Sequence, residues 1–386
     1  MKDLTTCCLL LLVMPAIAGC TSTPAPSGSQ ATYASKGFAG DPTGRDATRW
    51  PDLSGETVTI LDQGAFDYLF TAAQPLFENL THAKVRHIAA LDAGDVVQRS
   101  LRESGDPSFD VLYGIDNVLM AKARDGNVFA PYTPVMGARV NATLLFFDAA
   151  QPWPATPVDH GYTAINIDPR AKLGVHGLRD LANPANARQF VTEDPRTSSP
   201  GLGFLIATVA TFGDKGTGAY DYLAYWDDLL ANGTLVTPGW TEAYVQHFTA
   251  GYGAATGAAD RAIVTSYSTS PAYEAYSGAA TTAKVLLAPM GTFHQVETMG
   301  IARGTRHLAA AQAWIEFTLT DAYQELQAPQ NAVYPVVDTI DVASVFGHAD
   351  PAPGTFLDAD LGTAIIGSNV DRWVREWTEV FERHQA

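Results

Sequence analysis

Short apolar runs alternate with helical stripes along most of this chain, and that alternation restricts its fold more than any other feature. Val58 to Asp62 reads as a strand, and Phe66, Leu69, Phe70, Ala73, Phe77 and Leu80 then share one face of a helix. Val85 to Ile88 is the next strand, followed by a helix from about Asp95 to Glu103. Phe109 to Tyr113 reads as a strand, with Gly114-Ile115-Asp116-Asn117 opening a helix through Met120. The pattern resumes with strand Phe190 to Glu193 and an apolar helix from Gly203 to Thr211. Helices at Tyr220 to Leu230 and Glu242 to Phe248 and strands at Ala262 to Tyr267 and Lys284 to Ala288 follow. Val370, Trp373, Val374, Trp377, Val380 and Phe381 give a strongly amphipathic last helix. Strand–helix alternation of this kind predicts an α/β fold, a parallel sheet with crossover helices.

At 386 residues the chain exceeds what one hydrophobic core usually supports, so two lobes are expected. A hydrophobic content of 46% is ample for both cores. The net charge of −17 repels nucleic acid and anionic headgroups and favours small cations. No nucleic-acid partner is expected.

The first residues read as a secretory signal. The apolar stretch from Cys8 to Ile17 ends in Ala16-Ile17-Ala18-Gly19-Cys20, which resembles a lipobox, where a diacylglyceryl group is placed on the cysteine. Residues 1–19 are then the signal peptide and Cys20 the lipid anchor. Residues 20–54, rich in Ser, Thr, Pro, Gly and Ala, read as a flexible tether. The three cysteines are Cys7, Cys8 and Cys20, so the folded body has no thiol for a disulfide, a metal or a nucleophile.

Four loops sit where a strand ends and a helix begins, the place where open α/β sheets bind ligands. Asp194-Pro195-Arg196-Thr197-Ser198-Ser199-Pro200-Gly201-Leu202-Gly203 offers hydroxyls and free backbone N–H groups to an anion, although an ordinary capped helix start explains the same residues. Gly239-Trp240-Thr241-Glu242-Ala243-Tyr244 presents a tryptophan that a core would equally use. Ser266-Tyr267-Ser268-Thr269-Ser270-Pro271-Ala272-Tyr273 brackets hydroxyls with two tyrosines, whose flat faces suit a heterocycle or a cation. In Gly114-Ile115-Asp116-Asn117 the aspartate serves either a ligand or a helix cap.

Taken in order and spacing, these four runs resemble the thiamine-binding substrate-binding proteins of bacterial ABC importers, over about Thr57 to Val336. The resemblance implies a type II periplasmic-binding-protein fold: two α/β lobes joined by two crossing segments, with the ligand cleft between them. It implies lobe 1 from 55–160 plus 297–386 and lobe 2 from 161–296, with crossings near Val158 to Ile165 and His294 to Ile301. It further implies a ligand held by Asp116, Thr197, Ser198, Ser199, Gly201, Trp240, Tyr267, Ser270 and Tyr273, with Ser198 and its neighbours at the phosphate or hydroxyethyl end and Tyr273 stacked on the rings. The expected partners are thiamine or a thiamine phosphate and an ABC permease; no cofactor or metal is expected, and the protein is expected to be a monomer.

The chain departs from the family on the first-lobe side. A Tyr-Asp-Ser run at the end of the first strand is replaced by Gln63-Gly64-Ala65, leaving Phe66 or Tyr68 to supply a ring. Asp159-His160-Gly161-Tyr162 stands where the family has Asp-Tyr-Gly-Tyr, and Ala332 stands for a tryptophan before Tyr334-Pro335. Gln63, Phe66, His160 and Tyr334 are therefore the candidate first-lobe wall. Each lost ring removes stacking worth roughly 1–3 kcal/mol in nucleobase sites, which leaves open another cationic or phosphorylated ligand, such as an aminoalkylphosphonate or a thiamine-precursor pyrimidine. An enzyme of the thiaminase type needs a cysteine that the body lacks, and no Gly-x-Ser-x-Gly elbow occurs. Ferric ion is a further alternative; binders of it with this fold use paired tyrosines, often adjacent in sequence, and no Tyr-Tyr pair occurs here. The histidines show no metal-ligand spacing.

Overall fold

The computed structural model describes residues 38–64, 67–90, 92–252, 259–279, 281–347 and 361–385. The signal segment, Cys20, the tether as far as residue 37, and Phe66 lie outside these residues. The expected tether is shorter than its composition suggests. Phe38, Trp50 and Leu53 are buried, and Asp41 accepts a 3.0 Å hydrogen bond from the Trp50 indole. Three apolar side chains in a polar stretch are enough to dock it on the body, where Trp50 meets Phe317 at 6.4 Å between ring centroids.

One mixed sheet runs through the molecule. Its strands are β1 (Thr57–Asp62), β2 (Lys84–Ala89), β3 (Val111–Asp116), β4 (Thr156–Ile167), β5 (Phe190–Glu193), β6 (Leu235–Thr237), β7 (Ile263–Tyr267), β8 (Lys284–Val285), β9 (Thr292–Ile301) and β10 (Tyr334–Pro335). The spatial order is β2-β1-β3-β9-β4-β7-β5-β6, with β8 and β10 also pairing β4. The outer pairs are parallel, as strand–helix alternation predicts. The central pairs β3–β9, β9–β4 and β4–β7 are antiparallel. The two longest strands, β4 and β9, therefore carry the chain from one parallel half-sheet to the other.

Each half-sheet has its own core. On one side α1 (Asp67–Thr81) places Leu69, Phe70 and Phe77 against Trp314 and Phe317 of α7 (Leu308–Thr318), over Val58 and Ile60 of β1. Phe77 and Trp314 meet edge to face at 5.0 Å, a preferred aromatic geometry. Helices α2 (Ala93–Arg102) and α3 (Met120–Asp125) cover the opposite face. On the other side α4 (Ser199–Phe212) and α5 (Tyr222–Ala231) enclose Phe204, Leu205 and Trp226. A short helix, α6 (Ser270–Tyr276), follows β7. The last helix, α8 (Thr363–Arg383), puts its apolar stripe on this second core, with Trp226 and Trp377 edge to face at 5.5 Å. It also touches α3, where Lys122 pairs with Asp371 at 3.4 Å.

The helix expected from Gly114 begins later. Strand β3 continues to Asp116, and α3 starts at Met120. Gly114 allows this: its φ of +92° is one that L side chains rarely adopt, and a Cβ there would lie 2.8 Å from the Gln63 side chain.

Candidate functional site

The loop after β5 is built from its own side chains. Arg196 turns back onto Asp194, with Nε at 2.9 Å from Oδ1, and its guanidinium lies over Trp377 and Phe381 of α8 at 5.6 and 5.3 Å. That cation is committed to Asp194 and to the rings of α8. The Thr197 hydroxyl donates to the Pro238 carbonyl at 2.6 Å. Ser198 occupies the N-cap of α4 in extended conformation, but its hydroxyl makes no capping bond, so the first amides of the helix lack a side-chain partner from it. Gly201 is required for close packing: a Cβ there would stand 2.4 Å from the Glu193 carbonyl oxygen. Thr197, Ser198 and Ser199 line a cavity of about 680 Å³ together with Asp95 and Gln98 of α2 and Val374 of α8.

A second group lies around the end of β7. The Trp240 indole donates to Ser266 Oγ at 2.8 Å, and Ser266 Oγ is 3.0 Å from Ser270 Oγ. Trp240 stacks on Tyr244, 5.0 Å between centroids and 11° between planes. Trp240, Tyr267 and Tyr273 are each half-buried. Tyr273 packs against the cluster that holds Tyr334 and Phe346 and donates to the Pro329 carbonyl at 3.3 Å. This residue therefore joins α6 to the segment around β10 instead of standing alone in the cleft.

The crossing strands hold the densest chemistry. Asp116, Glu297 and Asp159 are direct partners across β3, β9 and β4. All three are buried, at 2, 6 and 0% exposure. Glu297 Oε1 accepts from the amides of Gln63 at 2.8 Å and Gln295 at 3.1 Å. The Tyr113 hydroxyl donates to Asp159 Oδ2 at 2.6 Å. Asp116 accepts from the backbone N–H groups of Val118 and Leu119, capping the turn before α3. Burial pushes the Asp116 carboxyl up to about 6 against those bonds. Burial likewise raises Asp159 to about 6, and burial followed by the Asp159 charge raises Glu297 well above the usual carboxylate range. Tyr267 borders the same group; burial first, then Glu297, Glu193, Asp116 and Asp159, push its phenol up.

Beside the ladder, His160 Nδ1 lies 3.1 Å from His294 Nε2, and Tyr162 stacks on His294 at 4.5 Å. The His160 ring stacks on Tyr334 at 5.4 Å. Burial and the neighbouring imidazole hold His160 down at about 3, so it is neutral at physiological pH. Among the described residues no group of three His, Cys, Asp or Glu side chains is placed to hold a metal ion.

The sequence-predicted residues thus fall into four groups, of which Trp240 and Ser270, joined through Ser266, are one. Gln63 and Asp116 join the carboxyl ladder, and Tyr267 borders it. His160, Tyr334 and Tyr273 form an aromatic group. Thr197, Ser198 and Ser199 line the cavity, whose wall includes Gly239 next to Trp240 but neither Tyr267 nor Tyr273. Sequence reasoning missed Glu297, Asp159, Tyr113 and Glu193 as site residues. Their signal was present: an acidic residue inside Gln295-Val296-Glu297-Thr298-Met299 is unusual in an apolar strand.

This architecture, two α/β cores joined by two long antiparallel strands with polar groups gathered at the strand ends, is that of a type II periplasmic binding protein. The chain belongs to the bacterial extracellular solute-binding protein family, which it matches over residues 106–360. It is 28% identical over 308 residues to a thiamine-binding periplasmic protein of Brucella abortus biovar 1 (strain 9-941), covering 80% of this chain and 86% of that protein. It is 26% identical to a thiamine-binding periplasmic protein of Escherichia coli (strain K12), covering 80% and 87%. The solved structure of a periplasmic thiamin binding protein superposes with a TM-score of 0.70 at 25% identity, over 85% of this chain and 98% of that one.

Proposed function

We propose that this protein captures thiamine or a thiamine phosphate outside the cytoplasm and delivers it to an ABC permease, without itself catalysing a reaction. Relatives named for thiamine binding align along four-fifths of the chain. The observation that carries the reading is the buried row Asp116–Glu297–Asp159, bordered by the half-buried Tyr267. A flat aromatic cation needs rings to stack on and carboxyls to balance its charge, and strands β3, β9, β4 and β7 bring both side by side. In this reading residues 55–160 plus 297–386 form lobe 1 and 161–296 form lobe 2, although α8 packs on the second core. Ligand draws the lobes together about β4 and β9. The Ser198 end of α4 receives the hydroxyethyl or phosphate group, and Trp240, Ser270 and Tyr273 line the remaining wall. Cys20 carries lipid that holds the monomeric protein at the membrane.

Another cationic or phosphorylated ligand is the second reading. It is favoured by the first-lobe wall, where Gln63 is engaged by Glu297 and Ala332 offers no ring. A thermal-shift panel of thiamine, thiamine phosphates, hydroxymethylpyrimidine, aminoethylphosphonate and ferric citrate separates these, because a ligand that binds only the folded state raises the melting temperature. Thiamine or its phosphates should give the largest rise. A larger rise with another member of the panel would replace the ligand named here.

A further inference from the structure

The row Asp116–Glu297–Asp159 is costly as it stands. Like charges directly opposite on neighbouring strands repel, and burial removes the water that would screen them. Among the described residues no basic side chain offsets them: the groups acting on the three carboxyls are the Gln63 and Gln295 amides, the Tyr113 hydroxyl, backbone N–H groups and one another. The titratable groups that face the row are acidic or phenolic as well, namely Tyr113 on β3, Tyr267 on β7 and Tyr323 after α7. Asp62 at the end of β1 is also buried and acts on Tyr323 as the row does, but has His87 as its own partner at 3.3 Å. His160, next along β4, pairs with His294 and is held neutral. In the ligand-free protein burial and this repulsion favour a proton on the pair Glu297 and Asp159.

Independent features show that the row is built to meet something else. Asp159 Oδ1 and Gln295 Oε1 are buried with no hydrogen-bond partner, and Gln295 already touches Glu297 through its amide nitrogen. Glu193, wholly buried at the end of β5, also has both carboxyl oxygens unpartnered and has Tyr267 as a neighbour in common with the row. Unmet acceptors on both sides of Tyr267 are expensive to keep unless a donor or a cation arrives.

We propose that Glu297 and Asp159 select the ligand by charge: a cationic ligand entering the cleft takes the place of the proton the two carboxyls share, and that proton leaves to solvent. The inference rests on the reading of the cleft as a site for a thiamine-type cation. It assigns to this pair the preference for positive charge, and it makes capture depend on pH. As pH falls, ligand and proton compete and affinity drops; as pH rises, the proton is already gone and affinity levels off. A neutral ligand of similar shape gains nothing from the exchange.

The test is titration calorimetry of thiamine into the full chain, in two buffers of different protonation enthalpy, between about pH 5.5 and 8. In the native protein the apparent enthalpy should depend on the buffer in the sense of proton release, approaching one proton per thiamine on the acid side. The affinity should fall up to about tenfold per pH unit there. Thiamine's own aminopyrimidine titrates in acid, so Glu297→Gln serves as the control. It should bind more weakly at pH 8 and keep only the pH slope and the buffer dependence that the free ligand's own proton contributes. Asp159→Asn should do the same and provides a second variant if the first fails to fold. If native protein binds thiamine with the same buffer dependence and the same pH slope as Glu297→Gln, the charge selector is wrong while the thiamine reading stands. If thiamine does not bind at any pH, the thiamine reading fails and the proposal falls with it.

Discussion

Asp116 shows what a single buried carboxyl costs this fold. Its carboxyl is 2% exposed, held by two backbone N–H groups, and shifted up to about 6. A folded-state pKa above the unfolded one means that the native state binds the proton more tightly. Its contribution to stability is therefore fully present below about pH 3.8 and is lost as pH rises through about 6. Asp116→Asn keeps an acceptor for the same N–H groups and removes the buried charge. We expect it to gain roughly 1–3 kcal/mol of stability at pH 8 and little at pH 4, read from denaturant midpoints at the two values. An equal gain at both would show that ionisation is not the cause. Gly201 poses the opposite case. Gly201→Ala should lower stability by roughly 1–3 kcal/mol, because its Cβ would press on the Glu193 carbonyl and backbone cannot yield as a flexible side chain does. A melting curve indistinguishable from native would contradict that close packing.

Among the elements, α8 ties the chain's end to the second core through Trp373 and Trp377, both buried. Trp377→Ala should cost about 3–5 kcal/mol and release Arg196 from its aromatic seat, since the guanidinium lies over Trp377. A chemical-denaturation ΔG unchanged from native would refute that packing. The stripe that builds this helix was legible in the sequence, as was that of α1, because period and chemistry agree along them. The loop after β5 was legible too, since hydroxyls and glycines at a strand end imply a helix start. What was not legible is tertiary. That β3 runs to Asp116 depends on Gly114 bending beside Gln63, a contact between residues 51 apart in the chain. That Phe38 and Trp50 dock depends on α7 lying underneath. That Glu297, Asp159 and Asp116 stand in one row depends on antiparallel register between strands far apart in sequence.

For the whole molecule, two cores meet at β4 and β9, and the unmet acceptors lie at that junction. A ligand that satisfies both sides at once favours the closed arrangement by its differential affinity for it. Small-angle scattering should therefore show a smaller radius of gyration at saturating thiamine; identical profiles would count against closure. The anchor is a separate matter at this scale: Cys20→Ser should release the protein from the membrane fraction of cells, and retention there would remove the lipid from the account. The central claim, that the cleft holds a thiamine-type cation, is tested most directly by titrating the protein with thiamine at pH 8 by calorimetry. The account predicts one saturable site per chain and an affinity about ten- to hundred-fold weaker in Trp240→Ala, as expected for a lost stacking ring. No saturable heat with thiamine or its phosphates in a folded protein, or an unchanged affinity in folded Trp240→Ala, would contradict it.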